Sequence, residues 1–308
     1  MTPPGKRAAA RRPQAGFSLV ELLVSMTLGL VVTGALTVMY LSGGQAARNV
    51  EAHGRMNDDA QMALAAITHE LRQAGYNPVR DASGKKNDLG QKGWSLFACD
   101  TGFTGTTAAK RDIDTLRCDT AGANLSVAVV YEADLNTGRN TATTGLPMDC
   151  VGNGVKASPA DAHFYTLQAR FYVEDNALMC RGSGGGDSGN LGTAQALAEN
   201  IESMTASFAV SNPADATNQD VRGYLTASGI NNPAYPGLAA LAPRDRWNKV
   251  VAVHICVVAR SESPVLRDLG TAASYQDCHG NDVRISDGKL RRAYRSTVLL
   301  RNHGVGYS

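Results

Sequence analysis

The sequence predicts an α+β protein: a long N-terminal membrane-spanning helix, the outer half of which packs against a C-terminal antiparallel β-sheet head. Three observations lead there. Leu22 to Leu41 holds twenty residues without a charge, and at about 1.5 Å per residue a helix of that length covers roughly 30 Å, the thickness of bilayer hydrocarbon. Ala60, Leu64, Ile67, Leu71 and Ala74 then recur at spacings of four, three, four and three, which places them on one helix face. Beyond residue 80 the period drops to two and turn signals multiply.

The basic excess is local. Lys6, Arg7, Arg11 and Arg12 precede Gly16 with no acid among them, although the formal net charge of the chain is only +2. Removing these four from the 30 basic residues leaves 26 against 28 acids, which argues against a nucleic-acid-binding body, since that would need a basic stripe on one face. By the positive-inside rule the cluster stays cytoplasmic, and everything after Leu41 lies across the membrane.

A secretory signal peptide or a plain signal anchor has the same hydropathy, and small residues in "SGGQAAR" after the apolar run leave conventional cleavage there open. Two details argue against it. The run exceeds the roughly 7 to 15 residues of a signal h-region, and Ala15-Gly16 stands before the run rather than after it. The run also continues into more helix. Asp58, Asp59, His69, Glu70, Arg72 and Gln73 lie mostly off the apolar face, Gly75 suits a left-handed C′ position, and Pro78 blocks resumption. Gly43-Gly44 and Gly54 are the expected weak points, because glycine costs about 1 kcal/mol inside a helix.

"GFSLVELLVSMTLGLVV" (16–32) resembles the class III signal of type IV pilins and pseudopilins. "HELRQAGYNP", and more loosely "WNKVVAVHICVVARS" (247–261) and "LRRAYRSTVLLRN" (290–302), are similar to segments of PilW-type minor pilins. The resemblance implies the type IV pilin fold, cleavage after Gly16 by a prepilin peptidase, and N-methylation of Phe17 as the new first residue. It implies this organisation: 1–16 leader, cleaved; 17–76 long helix, transmembrane over 17–41 and amphipathic over 45–75; 77–308 extracytoplasmic head. The proline found partway along the first helix of many major pilins is missing here.

Glu21 gains a physical reading beside that resemblance. An unpartnered carboxylate in hydrocarbon costs about 3 kcal/mol on insertion scales and usually marks function. Cleavage after Gly16 would create an amine at Phe17, protonated near neutrality and four residues from Glu21, on the same helical face. The resemblance implies that Glu21 pairs with the first-residue amine of a neighbouring subunit and sets axial register. A bland alternative is an interfacial acid that snorkels to the headgroups. Gly29 and Gly34, with Ala35, Ser25, Thr27, Thr33 and Thr37, would allow close helix approach, a composition equally ordinary for any membrane helix.

The head reads as strands at 126–132, 168–174, 206–210, 249–260 and 293–301, with Asp175-Asn176 turning the second into "ALMCR". Apolar residues on both faces of 249–260 make it a central, covered strand. Segments 181–190 and 211–220 are loops, where partner contacts commonly sit. Six cysteines, Cys99, Cys118, Cys150, Cys180, Cys256 and Cys278, lie on the oxidising side. They allow fifteen disulfide pairings, and pairing of sequence neighbours is the expectation adopted. None is spaced for zinc.

No catalytic constellation is visible. His163, His254, His279 and His303 are scattered, and neither G-x-S-x-G nor H-E-x-x-H occurs. "DLNTGRN" (134–140) only faintly suggests a calcium loop. No enzyme, cofactor or metal is expected. The leading reading, through the resemblance, is a minor pilin in a membrane and pilus-tip complex that primes type IV pilus assembly for twitching and adhesion. Its partners would be other minor pilins, the major pilin and the inner-membrane assembly platform, with a tip adhesin as one candidate. It would reside in the inner membrane of a Gram-negative bacterium, head in the periplasm, and then in the pilus. The alternatives are a pseudopilin of a type II secretion system and an extracytoplasmic membrane-anchored enzyme or sensor.

Overall fold

A computed structural model describes residues 16–77, 93–122, 124–133, 135, 139–157, 165–187, 189–214, 220–266 and 273–303. The chain divides into two compact units, 1–51 and 52–308, taken in turn.

In the first unit the backbone enters helix α1, Leu19–Gln73, after three non-helical residues. The helix thus starts two residues later than Phe17, with Ser18 O accepting its first bond from the Leu22 amide at 3.1 Å. Large apolar side chains from Leu19 to Leu41 are all exposed. This helix is long and apolar enough to cross a membrane. It runs through Gly43, Gly44 and Gly54 without interruption. The expected weak points do not break it, because the cost of a few glycines is smaller than that of reopening the hydrogen-bond ladder. A β-carbon at any of the three would meet nothing within 4 Å among the described residues.

In the second unit α1 turns a wider stripe inward than periodicity alone picks out. Met56 and Ala63 join Ala60, Leu64, Ile67, Leu71 and Ala74 in the buried set. The helix ends where expected. Gly75 takes φ +72°, a left-handed conformation, and its N–H donates to Val130 O at 2.9 Å. Asn302 Nδ2 reaches the carbonyls of Arg72 and Ala74 at 3.4 and 3.3 Å, covering acceptors that the helix end leaves open. Pro78 lies outside the described residues.

The head holds two antiparallel sheets and a small hairpin, where the sequence pattern suggests one sheet. β1 (Leu96–Cys99), β2 (Ser126–Ala133), β3 (Tyr165–Glu174), β4 (Ala177–Gly182) and β5 (Gln195–Ala198) form a meander in chain order. Asp175 and Asn176 have φ of 50° and 59°, as a two-residue hairpin turn demands. Asn200, also at positive φ, turns β5 into β6 (Ile201–Ser211), which pairs elsewhere. With β7 (Val221–Leu225), β8 (Val250–Arg260) and β11 (Arg291–Leu299) it builds a second sheet in the order β11-β8-β6-β7. β9 (Ser274–Gln276) and β10 (Asp282–Arg284) make the hairpin. β8 is interior and buried on both faces except at His254 and Arg260, as its sequence implies. One continuous core joins the inner faces of both sheets to the buried stripe of α1.

Candidate functional site

The predicted site residues fall at the N-terminal end of α1. Phe17 is 79% exposed in the non-helical entry, and Glu21 lies in the first turn, where a carboxylate complements the helix dipole. Among the described residues no side chain pairs with Glu21. Glu21, Ser25, Gly29, Thr33 and Thr37 follow at intervals of four, a single ridge along the helix. The hydroxyls on it turn inward: Ser25 donates to Glu21 O at 2.6 Å, Thr33 to Gly29 O at 2.6 Å and Thr37 to Thr33 O at 2.8 Å. Spent on their own helix, they present a small, largely apolar surface. Gly34 stands five residues from Gly29, off that ridge, and a β-carbon at either glycine would meet nothing within 4 Å among the described residues.

Three disulfides join consecutive cysteines in the head. Cys99 pairs with Cys118, Cys150 with Cys180, and Cys256 with Cys278. The first ties β1 to the following irregular segment, the second fastens the 150s loop to β4, and the third anchors the segment around the small hairpin to β8.

Several buried polar groups escape sequence patterning. Glu70 of α1 is 3% exposed and hydrogen-bonds Tyr131 of β2, and burial raises its carboxyl to about 7 despite that bond. Asp149 accepts from the amides of Val151, Asn153 and Gly184 at 3.0, 2.9 and 2.7 Å. In the glycine-rich segment 181–190, Gly182, Ser183 and Gly184 are buried, while Gly185, Asp187 and Gly189 are exposed. A β-carbon at Gly182 would fall 2.1 Å from Asp149 Oδ2, and one at Gly184 2.5 Å from Asn153 O. Its glycines admit close backbone approach. Buried Arg170 donates to the carbonyls of Ala108 and Lys110, bracing a segment with no sheet of its own. Alternation in "QARFYVE" marks neither burial nor partner, so Arg170 was not legible as a core residue.

Of the histidines, His303 is buried against Gly75, His279 is exposed, and His254 is half-buried on β8. His163 and four residues of the 134–140 segment lie outside the described residues. Among the described residues, no group of three or more His, Cys, Asp or Glu is placed to hold a metal.

Comparison with known proteins places these features. Residues 11–37 match the family described as the prokaryotic N-terminal methylation motif, and residues 164–302 match the family described as Type IV Pilus-assembly protein W. The chain is 35% identical over 60 residues to the pilin-like protein PilA3 of Thermus thermophilus. That stretch is 20% of this chain and spans only 26% of the relative's length. Among solved structures, the Type IV-like pilin TTHA1219 of Thermus thermophilus aligns with a TM-score of 0.39 and 12% identity, covering 81% of this chain and 98% of that one. A chain of the GspK-GspI-GspJ complex from the enterotoxigenic Escherichia coli Type 2 Secretion System aligns with a TM-score of 0.32 and 14% identity, covering 80% and 97%.

Proposed function

We propose that this chain, a type IV pilin-like protein of the PilW type, is a structural, non-catalytic minor pilin that joins other pilins in a membrane complex priming type IV pilus assembly. The observation that carries the reading is the N-terminal one. A single carboxylate, Glu21, sits in the first turn of an exposed apolar helix, within residues that match the N-terminal methylation motif. In this reading 1–16 is a leader removed after Gly16, and 17–76 is the anchoring and packing helix. Residues 77–308 form the head outside the cytoplasmic membrane.

Glu21 then neutralises the terminal amine of Phe17 on a neighbouring subunit. Two opposite charges 4 Å apart in a medium of low dielectric attract far more strongly than in water, and neither is stable in lipid alone. That dependence sets a defined stagger. The ridge from Ser25 to Thr37, apolar because its hydroxyls are satisfied internally, allows adjacent helices to approach. Prepilin peptidase, the major pilin, the assembly platform and a tip adhesin are the partners this role calls for.

The test is complementation of a deletion strain with Glu21→Ala, scoring surface pili and twitching. Defective piliation with normal membrane levels of the protein is expected, and full piliation contradicts the reading. A pseudopilin of a secretion machine would use the same N-terminal chemistry. Recovery of pilus subunits, rather than secretion-system pseudopilins, after cross-linking is the result expected here.

A further inference from the structure

The outer face of the second sheet carries a groove of about 410 Å³ on β6, β7, β8 and β11. From these residues we infer that the groove is a binding site for an acidic saccharide, a hydroxylated ring bearing a carboxylate.

Several of its polar groups keep bonding capacity to spare. Arg295 makes one hydrogen bond among the described residues, from Nη2 to Asp277 O at 2.9 Å, and no ion pair. His254 engages Thr297 through Nδ1 at 3.0 Å, and among the described residues its Nε2 has no partner. Thr205 and Ser207 are half-buried, and no bond from either hydroxyl occurs among the described residues. Tyr224 is 57% exposed, with its ring held edge-on against His254 at 4.8 Å between centroids.

These groups define a ligand. No acidic side chain lines the groove; the nearby Asp277 carboxylate lies 3.8 Å from Nδ1 of the lining His279, whereas Arg295 meets only the Asp277 carbonyl among the described residues. A guanidinium with free N–H groups is shaped to grip a carboxylate by two parallel bonds. The small hydroxyls both donate and accept, matching ring hydroxyls. A fixed, exposed aromatic ring supplies an apolar face at little entropic cost. Binding pockets commonly combine such an apolar wall with a few convergent polar groups. The wall does not shift readily, because the Cys256–Cys278 disulfide ties β8 to the segment beside it.

A larger cleft of about 770 Å³ beside Trp94 lacks this character. Its Arg117 donates to the carbonyls of Asp114 and Leu116, and its Arg244 pairs with Asp245 at 3.2 Å. Its cations are committed inside the fold.

The test uses the full chain in detergent micelles, with tri-galacturonate and sialyllactose as probes, followed by calorimetry. At least one acid should bind with sub-millimolar Kd, and its methyl ester should bind about tenfold more weakly or worse, the usual worth of a charge-assisted bond. Arg295→Ala should lose a similar factor, Arg295→Lys less, and Tyr224→Ala should weaken binding several-fold. Binding of neither acid overturns the inference, as does equal binding of acid and ester. Unchanged affinity in Arg295→Ala, with the variant's circular dichroism and unfolding midpoint like wild type, also overturns it. So does inorganic phosphate binding as tightly as the saccharides, which would make this a simple anion site.

Discussion

The imidazole of His303 packs against Gly75, so closely that a β-carbon at Gly75 would lie 3.2 Å from its Cδ2 atom and 3.0 Å from Ser95 Cβ. The end of α1, the entry to β1 and the last described turn of the chain meet at this point. Gly75 is required twice, by its positive φ and by the absence of room. Gly75→Ala should destabilise the head by about 1–3 kcal/mol, read as a lower urea midpoint. Gly54→Ala, at an open helical position, should stabilise by up to about 1 kcal/mol. Equal effects at the two glycines would contradict this account of the helix end.

Burial raises the Glu70 carboxyl from its ordinary value near 4.5 to about 7. The folded state therefore binds this proton more tightly than the unfolded chain. Its contribution to stability is fully present below about pH 4.5 and is lost as pH rises through 7, on the order of 3 kcal/mol in all. Glu70→Gln keeps the shape without the titration. Unfolding free energy measured from pH 5 to pH 8 should fall more in the wild type than in the variant.

His303 works in the opposite direction. Burial lowers its pKa from 6.5 to about 4. Stability from the neutral ring is present above about pH 6.5 and is lost as pH falls through 4. Replacement by glutamine should flatten the acid limb of the stability profile, whatever it costs at neutral pH. An unchanged acid limb would show that the ring does not titrate on unfolding.

The disulfides staple segments with little ladder bonding of their own. Cys256 and Cys278 are separated by 22 residues, a loop whose closure is worth about 3 kcal/mol on the chain-entropy account. The double serine variant should lose up to that amount in denaturant unfolding. Protease cleavage near the β9–β10 hairpin should quicken more than cleavage in β2 or β3.

Much of this was legible beforehand. The C-terminal end of the buried helix face could be read, because Ala60 to Ala74 repeat at helical spacing and Gly75 terminates them, but its start at Met56 could not. β8 could be read as interior because valines occupy both of its faces. β1, β5 and β7 could not, since four or five residues such as "LFAC" or "QALA" carry too few periods to separate from loop. The division into two sheets turns on Asn200 and on pairings between β6, β8 and β11, distant in the chain, which local pattern does not encode. Glu70 and Arg170 were missed for a related reason. A charged residue inside a strand or helix pattern reads as solvent-facing, and only the tertiary arrangement brings Tyr131 or the carbonyls of Ala108 and Lys110 to it. The groove at Tyr224, His254 and Arg295 likewise gathers residues from three strands.

The central claim concerns a charge that does not exist until the chain is cut. Intact-mass and N-terminal analysis of the protein extracted from membranes of a piliated strain tests it most directly. The account predicts a chain beginning at Phe17 with a methylated amine. Recovery of the chain with its arginine-rich leader still attached, or cut after the apolar run near Leu41, would contradict it.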